Sequence, residues 1–176
     1  KDIIRKYIRQ HENIVVIEGG PTRNETIMNA IRYIEDTGRL TDETIIVTHD
    51  SVRPFVTYRI IEENIRYAEE CGACDTVIPA SDTIVESRDS HFISNIPERK
   101  MMYQGQTPQS FKAKKLRKIY QSLTREEREL LTDACKIYVL INEPVHLVEG
   151  DVSNIKITYP HDLRVAEAIL GGSETC

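Results

Sequence analysis

No apolar stretch of this chain approaches the ~18–20 residues that a membrane-crossing helix needs, so such a span is excluded from its 176 residues. The opening Lys1-Asp2-Ile3-Ile4-Arg5-Lys6 is too charged to be the apolar region of a signal peptide, and a cytoplasmic protein is expected. Basic residues are in deficit: 23 Lys and Arg face 28 Asp and Glu, a formal net charge of −5. That balance argues against non-specific nucleic-acid binding, which needs a basic surface, and leaves room for a local basic pocket for a small anion. Only four cysteines occur, which suits a reducing compartment better than a disulfide scaffold. Internal repeats, low-complexity tracts and linkers are absent too. So is the glycine-rich loop after an opening strand that marks many doubly wound nucleotide-binding sheets.

What is present reads as one ordinary globular domain over 1–176, with 40% hydrophobic and 29% charged residues. Helix-like and strand-like segments alternate. Ile3, Ile4, Tyr7 and Ile8 share a helical face, and Ile14–Ile17 is a short β-branched run. Ile27, Ala30, Ile31 and Ile34 stripe a helix whose N-cap is Thr22 or Asn24. Ile45-Ile46-Val47 reads as a strand, Ile60, Ile61, Asn64, Ile65 and Ala68 as a helix face, and Thr76-Val77-Ile78 as a strand. Continuous apolar runs of this kind belong to strands covered on both faces, so the fold expected is α/β, a Rossmann-like, open, mostly parallel sheet.

From Asp82 to Arg99 the pattern changes. Thr83–Glu86 and His91–Ser94 flank the polar turn Ser87–Ser90, as in a β-hairpin arm that is either a surface hairpin or a dimerisation arm. Further on, Leu116, Ile119, Tyr120 and Leu123 mark a helix, and Thr124 with Glu127 forms a capping box for the next, through Leu130, Leu131 and Ala134. Strands are expected at Ile137–Ile141, Val145–Val148 and Ile155–Thr158. Pro160 opens a last helix with Leu163, Ala166, Ile169 and Leu170 facing inward and Gly171-Gly172 at its end.

Polar residues gather just after the expected strands, where open α/β sheets bind ligands. The first group is Gly19-Gly20-Pro21-Thr22-Arg23-Asn24-Glu25-Thr26, either a plain turn or a place where backbone N–H groups approach a ligand at a helix start. The second is His49-Asp50-Ser51-Val52-Arg53-Pro54. Asp50 suits Mg²⁺ and Arg53 a phosphate, but an Asp–Arg surface pair has the same spacing. Arg99, Thr107-Pro108-Gln109, Thr132-Asp133 and Asn154–Thr158 complete the candidates, with Lys156 either an exposed strand lysine or an anion ligand. The lone Cys71-Gly72-Ala73-Cys74 lacks a second ligand pair for zinc and sits at a helix end with Gly72 as its stop, so a structural role is expected.

In order and spacing, Gly19-Gly20-x-x-Arg23, His49-Asp50-x-x-Arg53-Pro54, Asp82-Thr83, Arg99, Thr107-Pro108-Gln109, Thr132-Asp133-Ala134 and Asn154-Ile155-Lys156-Ile157-Thr158 resemble the cytidylyltransferase family that includes the 2-C-methylerythritol 4-phosphate and ribitol 5-phosphate enzymes. The likeness runs from about residue 14 to 170. His49–Phe55, Tyr103–Thr107 and Thr132–Lys136 look like the ribitol branch; the methylerythritol branch usually has Ala at the place of Ser51.

The resemblance implies transfer of CMP from CTP to D-ribitol 5-phosphate, giving CDP-ribitol for cell-wall teichoic acid or polysaccharide precursors. Its alternatives are 2-C-methyl-D-erythritol 4-phosphate as acceptor, or a non-catalytic dimerisation or regulatory module of the same fold. It implies CTP contacts from Gly19, Gly20, Pro21, Thr22, Arg23, Asn24, Glu25, Thr26, Asp50 and Ser51, and Mg²⁺ on Asp50. Acceptor contacts would come from Arg53, Thr83, Arg99, Thr107, Thr132 and Lys156, with Asp50, Arg53, Arg99 and Lys156 carrying the chemistry. It further implies a homodimer through the 82–99 arm, with Arg99 reaching the neighbouring subunit's site. The family's triphosphate loop is expected ahead of Lys1, in roughly 50–60 residues, more than the ~30 of one βαβ unit. The 176 residues alone are therefore expected to be poor catalysts.

Overall fold

A computed structural model describes residues 13–172. The chain divides into two compact units, one holding the residues up to Ile46 together with Lys112–Pro144, the other Val47–Phe111 together with the residues from Val145 onward.

The first unit is built from α1 (Arg23–Asp36), α3 (Ala113–Ser122), α4 (Arg125–Glu129) and α5 (Cys135–Leu140). Helix α1 starts where its sequence says it should. Thr22 accepts from Glu25 N–H while the Glu25 carboxylate accepts from Thr22 N–H, a complete capping box. Thr124 and Glu127 repeat the device at α4, which stops after five residues, at Glu129, short of the Leu130–Ala134 reach expected of it. Ile27, Met28 and Ile31 of α1 and Leu116 and Ile119 of α3 are buried, and Glu35 pairs with Arg117 between the two helices. Complete burial of Ile31, Leu116 and Ile137 stabilises by about 1.5–3 kcal/mol each.

The sheet has strand order β1-β3-β2-β4, with β1 spanning Ile45–Thr48, β2 Ala73–Pro79, β3 Tyr103–Lys112 and β4 His146–Glu149. β4 runs parallel to β2, whereas β3 runs antiparallel to it. Helix α2 (Tyr58–Cys71) covers β2 and β4 through Ile60, Asn64 and Ala68, one residue per turn on one stripe. Thr57 caps its start. Gly72 ends it at φ 89°, a left-handed conformation that a side chain would disfavour. Gln106–Phe111 of β3 are all buried, and the register of β3 against β2 shifts between Asp75 and Val77, beside the cis Thr107–Pro108 bond. A closed polar network fills the centre. Asn64 Nδ2 donates to Thr76 Oγ1, Thr76 donates to Pro108 O, and Ser110 Oγ donates to Asn64 Oδ1.

The open α/β class is as expected; several elements are not. Ile14–Ile17 forms no strand, and Ile14 and Val15 stay half exposed. Ile137–Leu140 belongs to helix α5 and Ile141 is its C-cap, because burying Cys135, Ile137 and Tyr138 in a helical core outweighs β-branched propensity. Ile155–Thr158 is irregular, and Ile157 N–H donates to Val52 O of the turn after β1. The arm's two runs are not paired strands. One isolated bridge, Glu86↔Asn95, closes them, and Asp89 Oδ1 organises the tip by accepting from His91 and Phe92 N–H. The last helix, α6 (Pro160–Gly172), buries Ala166 but exposes Leu163 and Leu170, two of the four residues expected inward. The helical face at Ile3–Ile8 lies outside the described residues. Among those described, no helix is long and apolar enough to cross a membrane.

Candidate active site

Four of the sequence's candidates meet at one point of the second unit. Beyond β1 the chain turns, with Arg53 N–H donating to Asp50 O, and the turn brings both side chains to the same side. Asp50 Oδ2 lies 3.7 Å from Arg53 Nε and 3.3 Å from Lys156 Nζ. The side chains of Asp50 and Arg53 keep only 19% and 12% of their exposure, while Lys156 keeps 48%. Two cations thus share one carboxylate, leaving one positive charge in surplus where water is partly excluded. Such a group suits a phosphate, whose oxygens accept charge-assisted bonds from both cations.

The cluster is held from behind. Asp50 N–H donates to Thr107 Oγ1 (3.1 Å), and Arg53 Nη1 donates to Asn154 O (2.8 Å). His49 bridges the same parts, with Nε2 2.9 Å from Arg53 O and Nδ1 3.0 Å from Thr107 Oγ1. A carbonyl can only accept, so Nε2 carries the proton. In the neutral ring Nδ1 is then the acceptor and Thr107 Oγ1–H the donor. His49, Gln106 and Asn154 were not among the sequence's site residues. His49 and Asn154 do stand inside the quoted motifs, a signal that pointed to the segments without giving a role.

The other candidates lie elsewhere. Arg99 begins a 3₁₀ turn at the root of the arm, exposed, with Nη1 donating to Ser81 O, and Thr83 is exposed on the arm itself. Ser51 is exposed in the turn beside Asp50. Thr132 is exposed between α4 and α5 of the first unit.

Gly19–Thr26 also belongs to the first unit. There Thr22 and Glu25 are engaged in the cap, Thr26 Oγ1 accepts from Gly20 N–H, and Asn24 is buried. A Cβ on Gly20 would stand 2.5 Å from Glu25 Cβ, so only glycine lets the loop fold back onto the helix start. Side chains expected to face a ligand here are occupied in shaping the helix N-terminus. The N–H groups of Gly20, Thr22, Glu25 and Thr26 are engaged in the same local bonds.

Among the described residues no three His, Cys, Asp or Glu side chains converge as a metal site. A single carboxylate still fits Mg²⁺, which binds through one or two carboxylates plus substrate phosphates rather than an all-protein cage. Cys74 is buried against Asn64 O, and burial pushes its thiol up to about 12, while Cys71 is exposed. A thiol held protonated in this way makes Cys74 a poor nucleophile.

Acid should loosen the loop behind the cluster. Asp151 accepts from Ser153 Oγ–H and N–H, which holds its carboxyl below the ordinary range. Main-chain N–H donors do the same for Asp89 and Asp162. A carboxyl depressed in the folded state binds fewer protons than in the unfolded chain. Its contribution is therefore complete above the unfolded pKa and is lost as pH falls through the folded one. Thermal unfolding midpoints should be level above about pH 5 and fall below about pH 4, and Asp151→Asn should remove part of that slope. A midpoint that rose on acidification would contradict the assignment.

The profile of the family described as "IspD: 2-C-methyl-D-erythritol 4-phosphate cytidylyltransferase" matches residues 2–172. Among solved structures, 2-C-methyl-D-erythritol 4-phosphate cytidylyltransferase from Thermus thermophilus is 27% identical with a TM-score of 0.74, over 92% of this chain and 76% of that one. The 4-diphosphocytidyl-2C-methyl-D-erythritol synthase of Anaerococcus prevotii is 27% identical with a TM-score of 0.78, over 97% and 76%. The Francisella tularensis enzyme reaches a TM-score of 0.80 over 90% and 73%, and at 24% identity it speaks for the fold alone.

Proposed function

Since the chain belongs to the 2-C-methyl-D-erythritol 4-phosphate cytidylyltransferase family and is thereby a nucleotidyltransferase, we propose that it transfers CMP from CTP to 2-C-methyl-D-erythritol 4-phosphate. An oxygen of the acceptor phosphate attacks the α-phosphorus of CTP, the α–β anhydride bond breaks, and pyrophosphate leaves. The nucleophile is already an anion, so the barrier is charge repulsion and alignment rather than proton removal. The single observation that carries this reading is the joint approach of Arg53 and Lys156 to Asp50 with Thr107 behind it.

In the proposal Arg53 and Lys156 hold the acceptor phosphate, Thr107 supports Asp50 and His49 from behind, and Ser51 contacts the cytidine. Asp50 would hold Mg²⁺, which neutralises phosphate oxygens when bound. Thr83 and Arg99 are proposed to act at the acceptor across a dimer. Phe92 and Ile93 of the arm, 77% and 61% exposed, form with Val85 and Ile96 more apolar surface than a free loop should show. A second copy covering them through a two-fold interface is the partner proposed.

D-Ribitol 5-phosphate remains as a second reading, favoured by the Ser51 hydroxyl and by the Tyr103–Thr107 segment. The family match and the solved relatives support methylerythritol phosphate better. Pyrophosphate release from CTP by the full-length protein, with each acceptor in turn, decides. Higher kcat/KM with methylerythritol phosphate is expected; clear preference for ribitol phosphate would reverse the choice, and turnover with neither would sink both.

A further inference from the structure

Behind the cationic pair lies a clamp whose members touch no reacting group. Asn154 is fully buried, and its amide donates to Thr107 O (2.9 Å) and Gln106 Oε1 (3.2 Å) while its main-chain carbonyl holds Arg53 Nη1 (2.8 Å). Gln106, 7% exposed, is fastened in turn to the loop after β4: Nε2 donates to Asp151 O (2.8 Å), and Oε1 accepts from Asp151 N–H (3.3 Å). The loop follows Gly150, whose N–H donates to Val77 O of β2. A Cβ at Gly150 would stand 2.4 Å from Gln106 Oε1 and 3.1 Å from Thr76 Cγ2, so with any side chain at 150 the Gln106 amide would have to leave this position.

We infer that Gly150, Gln106 and Asn154 are positioning residues that set the acceptor-phosphate site, by fixing the Arg53 guanidinium and Thr107 relative to Lys156. The inference rests on the proposed reaction and adds to it residues that act only through others. Its physical basis is the number of fixed contacts. Arg53 is held on one side by a shared carboxylate and on the other by a carbonyl whose own residue is locked by two donor bonds. Lys156 follows Asn154 by two residues, so a shift of the clamp moves both cations. Gln106 sits at the end of a flexible side chain, yet its amide makes three bonds in a buried space, and moving it strands polar groups without water. Placement errors near 1 Å are enough to cost on the order of 10²-fold in rate.

The test uses Gly150→Ala, Gln106→Ala and the double variant. Each single substitution should lower kcat/KM for the acceptor by about 10–10²-fold, while KM for CTP stays within about twofold. Because Gly150 acts through Gln106, the double variant should lose no more than Gln106→Ala alone, the signature of a shared route. A second readout does not depend on turnover. In ¹⁵N NMR the Arg53 guanidinium should show restricted rotation in the parent protein, and freer averaging in each variant. If Gly150→Ala fails to fold, Gln106→Ala, which creates space rather than a clash, carries the same comparison. Unchanged acceptor kinetics in Gln106→Ala with Arg53 still restricted, or a double variant losing the product of the two single losses, would overturn the inference. A parent protein that never releases pyrophosphate from CTP would instead sink the proposed reaction, and the Arg53 signals would still decide whether the clamp positions that group.

Discussion

Asparagine in place of Asp50 should lower kcat/KM by about 10²–10³-fold, the scale of removing one preorganised electrostatic group. The shape is kept and the charge is lost. Two consequences can be told apart. As a metal ligand, Asp50 sets how much Mg²⁺ the reaction needs, so the variant's rate should respond only to far higher Mg²⁺. As the shared counter-charge of Arg53 and Lys156, it sets their spacing, so KM for the acceptor should rise too. The fold should survive. Arg53 keeps its bond to Asn154 O and Lys156 is half exposed, so the penalty lies below the ~3–5 kcal/mol of breaking a fully buried pair. Pyrophosphate release against Mg²⁺ concentration, beside a thermal melt, measures both. Near-parental turnover with an unchanged Mg²⁺ requirement would show that the carboxylate only tidies the surface.

Mixing two inactive variants should restore activity. Arg99 is proposed to serve the partner's acceptor site, while Lys156 serves its own. In a mixed dimer of Arg99→Ala and Lys156→Ala subunits, one site then has both residues intact and the other has neither. Each homodimer should be poor, because truncating one charge-assisted contact costs about 1.5–3 kcal/mol or more, at least tenfold in rate. Random exchange makes half the dimers mixed, each with one good site, so activity should return to roughly a quarter of the parental level. The restored signal would stand well above either variant alone. Exchange verified by mass, with no return of activity, would remove Arg99 from the partner's site. A monomer at assay concentration would remove the shared site altogether.

Local chemistry made several features legible in the amino-acid order. Thr124 with Glu127 marks a helix start because a side-chain oxygen can reach an N–H three residues on, whereas the cap of α1 stood open between Thr22 and Asn24 until the Thr22–Glu25 bonds chose Thr22. Gly72 marks a helix end because glycine tolerates positive φ, and Pro160 marks a start because that position needs no N–H donor. Asp50 and Arg53 were readable as a pair because three residues of one turn separate them.

Where burial and not propensity chooses, the order alone misled. Ile137–Ile141 has the β-branched look of a strand, but all of it except the capping Ile141 lies in a helix whose inner face fills a core, and Ile157 bonds to the turn after β1 instead of to a ladder. The arm's alternating runs close on a single bridge, since no third strand supports them.

The site divides the same way. Motifs named Asp50, Arg53, Thr107 and Lys156 as candidates, but one-dimensional spacing cannot tell a phosphate ligand from a surface pair. Only the folded chain brings Thr107 to the Asp50 amide across 57 residues and Asn154 to the Arg53 guanidinium across 101. The tautomer of His49 and the need for glycine at 150 arise from contacts with atoms that the sequence places far away. Short-range hydrogen bonds and backbone sterics are properties of neighbours along the chain, and so the Thr124 cap, the Gly72 stop and the roster of candidate groups follow from residue order. Convergence, burial and the fixed orientation of a charge depend on what packs around it, and those the tertiary structure alone decided.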